Sequence, residues 1–453
     1  MDGRRAGVLL HPTSLPSHTL DDVADWFAFM GHAGLSVWQM LPLGIPEGGL
    51  SPYQCESAFA VNPSLMARFP EMPEWDDPGF SRFCREQSFW LDDFALFRIL
   101  KQRFQDAPWF SWPDEYKFRE SDALARLRFE MAGEYRHLCG IQYEIFAEWS
   151  NVRKLAAAQD ISLFGDMPIF VAHDSADVWA HRGSFLLDED GMPKVVTGVP
   201  PDYFSEDGQR WGNPHYDWEA MEKDDFRWWK ARLKAQFQWF DIVRIDHFRG
   251  LEAVWQIPVE SETAINGEWV KVPGEKLLKS IQDELGKLPL VAEDLGIITP
   301  EVDKMRKQFG LPGMSILQFA FDQFEDNPHK PANIGPDRVV YTGTHDNDTT
   351  LGWFRSLDDS MKQWVRHDMG ADDEKEVVDT MIQTAMNTKG VMAIVPMQDF
   401  LGLGSEARMN VPGTIDGNWR WAFSWEQVSS DLPKKIHRWV DDSGRLSSPE
   451  GEK

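Results

Sequence analysis

Cysteine, positive charge and long apolar runs are all scarce in this sequence. Its 453 residues include three cysteines, Cys55, Cys84 and Cys139, an odd number without CxxC spacing. Such a set gives neither a disulfide framework nor a zinc site. The formal net charge is −27, which argues against nucleic acid or an anionic membrane as a partner, because a polyanion would be repelled. A neutral polymer such as a polysaccharide is compatible with that charge.

The apolar runs are too short for a secretion signal or a membrane span. The first of them, residues 8–10, ends at His11 and is shorter than the apolar core of a signal peptide. No window approaches the roughly 20 apolar residues that a bilayer crossing needs. We therefore expect a cytoplasmic protein.

Tryptophan and phenylalanine are abundant, with 21 and 29 residues. Most large aromatic side chains fill protein cores, and this is the default interpretation for the majority of them. Sugar rings present flat C–H faces that pack on aromatic rings, so aromatic clusters near acidic segments would favour a carbohydrate cleft.

Short apolar segments alternate with helical ones along the chain, which is typical of a parallel sheet. Eight segments are predicted to be strands: Ala6–Leu10, Val37–Leu41, Leu163–Ile169, Ile242–Ile245, Leu288–Ala292, Ser315–Phe319, Arg338–Thr342 and Val391–Val395. Helical spacing covers residues 218–240, for example, and Gly286 is a stop signal for the helix before the fifth strand. The pattern favours a closed barrel, an α/β fold of the (β/α)8 TIM-barrel type.

Residues 65–150 interrupt this alternation. They are rich in Trp, Phe, Arg and Glu at helical spacing, so we interpret them as a helical subdomain inserted in a barrel loop. The predicted division assigns the first barrel strands and loops to residues 1–64 and the remainder of the barrel to residues 151–453. Within that remainder, residues 184–215 are predicted to be a loop-rich cleft segment with a hairpin turn at Asp190-Gly191.

Three acidic residues follow the ends of predicted strands, namely Asp246, Glu293 and Asp346. A buried carboxylate costs free energy unless it is paired or has a chemical role. Because the carboxyl ends of barrel strands meet at one rim, we expect these three side chains to form a single acidic pocket. Two carboxyl groups at the right separation can cleave and remake a glycosidic bond.

The segment VRIDHF indicates a nucleophile. Strand alternation places Arg244 and Asp246 on the same face, so both side chains would point into the barrel mouth. A neighbouring guanidinium favours the ionised carboxylate, which is the form a nucleophile needs. The alternative is a structural ion pair of the barrel.

Glu293 is the candidate general acid. It follows an apolar strand, an environment that raises the pKa of a carboxyl group and lets it hold a proton near neutral pH. The alternative is a solvated or helix-capping glutamate. Asp294 lies beside it, and only one of the two can share the inward face of the strand.

The run THDND adds His345 and Asp346, which could bind hydroxyls and an oxygen of the same sugar ring; the alternative is a polar loop that caps a helix. We find no metal motif of the HxH or HExxH type. Residues 188–191, DEDG, lack the downstream Glu of a calcium loop, so a turn is favoured there.

Over nearly its whole length the chain resembles the 4-α-glucanotransferases, also called amylomaltases or disproportionating enzymes, which are relatives of the α-amylases. The strings that carry this resemblance are HPTSLPS at 11–17, WQMLPLG at 38–44, SPYQ at 51–54, GDMPIFVAHDSADVW at 165–179, GVPPDYFSEDGQRWGNP at 198–214, VRIDHFRG at 243–250, VAEDLG at 291–296, GMSILQFAF at 313–321, TGTHDNDT at 342–349 and QDFLGLGSEARMNVPGT at 398–414.

The resemblance implies a role for each residue of the triad: Asp246 as nucleophile, Glu293 as acid/base and Asp346 as transition-state stabiliser. It also implies a set of substrate-binding residues: Tyr53, Asp166, Arg244, His247 and His345 around the donor sugar, Asp202, Gln209 and Trp211 in a loop over the cleft, and Asn410 from the last segment. The family works without a cofactor, and nothing in this sequence calls for one.

The expected activity is therefore transfer of α-1,4-glucan segments between malto-oligosaccharides, as in starch, glycogen or maltodextrin metabolism, by a retaining double displacement. The nearest alternative is an α-amylase-like hydrolase with the same triad. A non-catalytic glycan-binding barrel would predict loss of a triad residue, and a metal-dependent hydrolase would need ligand spacing that the sequence lacks.

Overall fold

Short runs of apolar residues that end at polar residues form most of the strands of the barrel. The structure is a computed structural model, which describes residues 3–68, 73, 77–201, 205–414 and 416–447. In these ranges the strands are Arg5–Leu9 (β1), Val37–Gln39 (β2), Ser162–Met167 (β3), Val195–Val199 (β4), Gln209–Pro214 (β5), Ile242–Ile245 (β6), Ala253–Pro258 (β7), Glu268–Lys271 (β8), Leu290–Ala292 (β9), Gly313–Ile316 (β10), Arg338–Tyr341 (β11) and Met392–Pro396 (β12).

Helices alternate with these strands. Within the same ranges they are Val23–His32 (α1), Pro78–Glu86 (α2), Leu91–Arg103 (α3), Asp114–Lys117 (α4), Ser121–Glu130 (α5), Ala132–Ala158 (α6), Ala176–Ala180 (α7), Trp218–Lys223 (α8), Arg227–Trp239 (α9), Gly274–Leu285 (α10), Pro300–Gln308 (α11), Thr350–Ser356 (α12), Asp359–Met369 (α13), Glu374–Asn387 (α14), Met397–Phe400 (α15) and Leu432–Asp442 (α16). None of these helices combines the length and the apolarity needed to cross a membrane.

Eight parallel strands form the barrel wall, in the order β10-β11-β12-β1-β2-β3-β6-β9. The two end strands meet where the Ala292 amide donates to the Pro312 carbonyl, 2.8 Å away, so the sheet is nearly closed on itself. All eight predicted strands and the (β/α)8 barrel are confirmed, and the strand bounds differ from the predicted ones by at most three residues. The carboxyl ends of the strands therefore share one rim.

A second, antiparallel sheet stands beside the barrel, in the order β5-β4-β7-β8. The sequence analysis did not predict it, because β4 and β5 fall in the segment 184–215 that was interpreted as loop-rich. The hairpin turn predicted in that segment is confirmed: Gly191 has a φ of 86°, and Leu187 pairs with Pro193 across the turn.

Helices α2–α6 lie between β2 and β3, where a helical subdomain was predicted; the division of the chain into domains stays a prediction. The longest of them, α6, packs against α9, since the Trp149 indole donates to the Trp239 carbonyl at 2.9 Å. Six tryptophans are among the largest fully buried side chains: Trp26, Trp38, Trp109, Trp149, Trp179 and Trp229. For these residues, the interpretation as core-filling side chains is confirmed.

Candidate active site

The carboxyl ends of β3, β6 and β9 place three acidic residues side by side. Backbone hydrogen bonds fix this register: the Asp246 amide donates to the Met167 carbonyl at 3.0 Å, and the Glu293 amide donates to the Ile245 carbonyl at 3.1 Å. Asp166, Asp246 and Glu293 therefore come from three neighbouring strands at one rim. The structure brings Asp246 and Glu293, which were expected to lie together, to neighbouring strand ends.

Arg244 links two of these carboxylates. Its Nη1 donates to Asp166 Oδ2 at 2.5 Å, and its Nη2 donates to Asp246 Oδ1 at 2.7 Å. The Arg244 side chain is 5% exposed and that of Asp166 is fully buried, whereas 30% of the Asp246 side chain is exposed to the cleft. As predicted, Arg244 and Asp246 point the same way. The guanidinium supplies the positive charge that an ionised Asp246 requires.

Glu293 is held between two backbone amides. The His247 amide donates to its Oε2 at 2.7 Å, and the Leu295 amide donates to its Oε1 at 2.9 Å. Burial raises the pKa of Glu293 to about 7 and the charge of Asp246 adds to the rise, although Arg244 and the two amides oppose it. The predicted direction of the pKa shift is confirmed. His247 follows Asp246 directly, so the peptide group between these two residues donates the hydrogen bond that links Asp246 to Glu293.

Asp346 belongs to a second group of polar side chains, which faces the first. The Asn410 amide group donates to Asp346 Oδ1 at 2.6 Å, and His345 Nε2 lies 3.4 Å from Asp346 Oδ2. Tyr53 stacks on His345 with ring centroids 5.3 Å apart. Its hydroxyl donates to Asp166 Oδ2 at 2.7 Å and accepts from His345 Nε2 at 2.9 Å. Hydrogen bonds thus connect Asp246, through Arg244, Asp166 and Tyr53, to His345.

The accessory sheet brings two further predicted residues to the rim. Trp211 on β5 meets His247 edge-on, with ring centroids 4.9 Å apart, and its indole donates to Gln209 Oε1 at 3.1 Å. Burial lowers the pKa of His247 to about 4, so this imidazole is neutral at neutral pH. The predicted residue Asp202, and the neighbouring residues 203 and 204, lie outside the described residues.

Three residues that the sequence analysis did not single out also belong to the site. Arg408 donates from Nη2 to the Asp346 carbonyl at 2.6 Å and from Nε to the Asn410 carbonyl at 2.7 Å. The Trp419 ring lies 5.9 Å from Tyr53 and 6.0 Å from His345. Burial, and then the charge of His345, lower the pKa of His11 to about 3. His11 and Arg408 fall within quoted strings of the family resemblance, and that was the signal available for them.

The described residues contain no group of three or more His, Cys, Asp or Glu side chains that could hold a metal ion. They bring together two carboxyl groups. That of Asp246 is paired with the Arg244 guanidinium. That of Glu293 accepts a hydrogen bond from the amide of the residue after Asp246 and keeps its proton near neutral pH. An ionised and a protonated carboxyl in one cleft are suited to acid-assisted displacement at an acetal carbon.

Comparisons with known proteins agree with this chemistry. A family model described as 4-alpha-glucanotransferase matches residues 10–69 and 67–427. A 4-alpha-glucanotransferase from Thermus thermophilus is 42% identical, with 98% of this chain and 99% of the relative covered. One from Synechocystis is 41% identical, with 99% and 97% covered. Among solved structures, the amylomaltase from Streptococcus agalactiae in complex with acarbose is 31% identical and has a TM-score of 0.93, with 98% of this chain and 100% of that chain covered.

Proposed function

The chain belongs to the 4-alpha-glucanotransferase family, and from that premise we propose which residues carry out the transfer of α-1,4-glucan segments. The observation that supports the assignment most directly is the pairing of Asp246 with Arg244 while Glu293, one peptide unit away, keeps its proton to a pKa of about 7. Asp246 is then the nucleophile and Glu293 the acid/base.

In the first step, an Asp246 oxygen attacks the anomeric carbon of a glucose unit. The bond from that carbon to the glycosidic oxygen breaks, and Glu293 gives its proton to the departing oxygen. A covalent β-glucosyl-enzyme and a shortened glucan result. The Glu293 proton is available for this step because burial raises the pKa of its carboxyl group.

In the second step, Glu293 takes the proton of the 4-hydroxyl of an incoming glucan. The acceptor oxygen attacks the same carbon, the bond to Asp246 breaks, and an α-linkage forms again. Two inversions restore the original configuration. Asp346 stabilises the positive charge that develops on the ring in both steps, and Asn410 fixes the orientation of its carboxylate.

Binding of the donor sugar is assigned to the polar side chains around the triad, namely Tyr53, Asp166, Arg244, His247 and His345. Transfer in place of hydrolysis requires an acceptor sugar to outcompete water at the intermediate. We assign acceptor binding to the loop of Gln209 and Trp211, together with Asp202, Tyr203 and Phe204. Trp211 supports this because its ring lies at the rim against His247.

The substrates are neutral malto-oligosaccharides and longer α-glucans, and we propose no nucleic-acid or membrane partner. The net charge of −27 supports both exclusions. A cytoplasmic location is part of the same proposal.

Incubation with pure maltotriose tests the activity. Transfer predicts a ladder of shorter and longer glucans with a nearly constant number of reducing ends. A hydrolase with the same triad would produce a steady rise in reducing ends and no products longer than the substrate, and that outcome would contradict the proposal.

A further inference from the structure

The barrel has a seam between β9 and β10, the two ends of its strand order. Ala292 and Pro312 form a backbone hydrogen bond there. The amide of Met314, in the middle of β10, donates to the side-chain Oδ1 of Asp294 at 2.7 Å. A carboxylate therefore takes the place that a strand carbonyl holds elsewhere in a parallel sheet.

The second oxygen of Asp294 is bound by arginine. Arg338 Nη1 donates to Asp294 Oδ2 at 2.5 Å, and Arg306 Nε lies 3.4 Å from the same oxygen. Arg338 also donates to the Met314 carbonyl at 3.3 Å. Asp294 and Arg338 together thus bind both backbone groups of Met314. The Asp294 side chain is 3% exposed, so these charge-assisted contacts are shielded from water.

The ion pair is packed closely against the backbone of β10. A Cβ on Gly313 would collide with Arg338 and Asp294, so a glycine is what lets the two side chains reach the strand. A cavity of about 490 Å³ lies beside the seam, lined by Asp294, Arg306 and Arg338 among others. The seam is therefore held by these polar contacts as well as by the apolar cluster that contains Val291 and Met314.

Asp294 and Glu293 are consecutive residues, and their side chains point in opposite directions. Glu293 reaches the cleft, where the His247 and Leu295 amides bind its carboxyl group. Asp294 reaches the seam, where Met314 and Arg338 bind it. The peptide group between the two residues is therefore fixed by side-chain contacts on both sides: those of Glu293 in the cleft and those of Asp294 at the seam. A shift of the seam would move the backbone from which Glu293 extends.

We propose that Asp294, bound by Arg338, is a positioning residue for the acid/base group: it fixes the seam of the barrel and thereby the place of the Glu293 carboxyl group beside the leaving oxygen. This inference rests on the proposed function, in which Glu293 protonates that oxygen. Of the two consecutive acidic residues, Glu293 faces the cleft, and Asp294 has the separate role of fixing the seam.

Asp294→Asn tests the inference. The amide keeps an acceptor for Met314 but removes the charge that binds Arg338 and Arg306. With maltotriose as donor, we expect kcat to fall about 10- to 100-fold, since a misplacement of about 1 Å can cost that much, with KM nearly unchanged. With a 4-nitrophenyl α-glucoside donor, whose leaving group needs little protonation, the fall should be several-fold smaller. Arg338→Lys should reproduce this difference between donors more weakly, and it serves if Asp294→Asn fails to fold.

Asp241→Asn is the matched control. Asp241 stands at the amino end of β6, where its carboxylate accepts from the Leu163 amide at 2.9 Å and from Arg153 at 2.8 Å. It has the same kind of partners as Asp294 but lies at the opposite end of the barrel. We expect it to lower the unfolding midpoint without changing the ratio of the two donor activities.

The Glu293→Gln variant distinguishes a failure of the proposed function from a failure of the inference about Asp294. If it lowers kcat/KM for the donor equally with both donors, the proposed function is wrong, because kcat/KM reports the first step alone, in which Glu293 acts as the acid. Suppose that the loss of activity in Glu293→Gln depends on the leaving group, whereas Asp294→Asn and Arg338→Lys, like Asp241→Asn, leave the ratio of the two donor activities unchanged. Then the inference about Asp294 alone is overturned. A parallel dependence in Glu293→Gln and Asp294→Asn supports it.

Discussion

Two carboxyl groups of one cleft, those of Asp246 and Glu293, have different partners. Asp246 shares a guanidinium with Asp166, whereas Glu293 has two backbone amides as its hydrogen-bonding partners and is buried between strand ends. Burial outweighs the favourable contacts of Glu293 and raises its pKa to about 7. At the scale of single residues, the roles of nucleophile and acid that we propose follow from the partners of each carboxyl group.

The pH dependence of kcat/KM should follow from this. In the proposed first step the protonated form of Glu293 is the active one, so we expect activity below its pKa of about 7 and a loss of activity as pH rises through that value. Glu293→Gln should lower maltotriose turnover by about 10²- to 10⁴-fold and should abolish the upper limb of the profile. An unchanged upper limb in this variant would assign the limb to another group.

At the scale of elements, β3 shows how tightly the wall is packed behind the site. Gly165 precedes Asp166, and a Cβ at this position would collide with the Phe240 ring. The strand carries Asp166 to the rim between β2 and β6. A glycine at this point lets Phe240 lie directly against the backbone of the strand.

Gly165→Ala should therefore destabilise the fold by about 1–3 kcal/mol through overpacking, measured as a lower denaturant midpoint. Gly183→Ala is the control, because a Cβ there would meet nothing within 4 Å, and its effect should stay within about 0.5 kcal/mol. Equal midpoints for the two variants would mean that the wall relaxes around Phe240 and that this contact is not limiting.

The sequence predicted the barrel strands well because strands buried on both faces are short, continuous apolar runs. It did not predict the accessory sheet, since β4 reads VVTGV and β5 reads QRWGNP, and β4 pairs with the distant strand β7. The helix predicted over residues 218–240 is also divided in two, because Asp225 and Phe226 adopt positive φ angles. Both misses concern tertiary contacts or backbone turns that apolar periodicity does not report.

At the scale of the whole molecule, the site is assembled from segments far apart in the sequence. The order of the strands brings Asp166, Asp246 and Glu293 to one rim, and Tyr53 joins them through its hydrogen bonds to Asp166 and His345. The strand-end positions of the carboxylates proposed as the triad could be predicted from the sequence. Arg408 was marked only by its place in a string of the family resemblance, because it acts through contacts with two backbone carbonyls. Such contacts leave no side-chain pattern to recognise.

The net charge of −27 makes a further prediction at this scale. The substrate is neutral, so its binding should not depend on long-range electrostatics. KM for maltotriose should change less than about twofold when ionic strength rises from about 0.01 to 1 M, although the Debye length falls about tenfold over this range. A steep dependence would indicate that a charged ligand or a charged surface takes part in binding.

Isolation of the covalent intermediate tests the central claim most directly. The Glu293→Gln variant is incubated with α-glucosyl fluoride, whose leaving group needs no acid, while deprotonation of an acceptor is blocked. The account predicts a protein mass increased by one glucosyl unit and, after proteolysis, a peptide with the sugar esterified to Asp246. A sugar on any other residue, or fluoride release without a bound sugar, would contradict it.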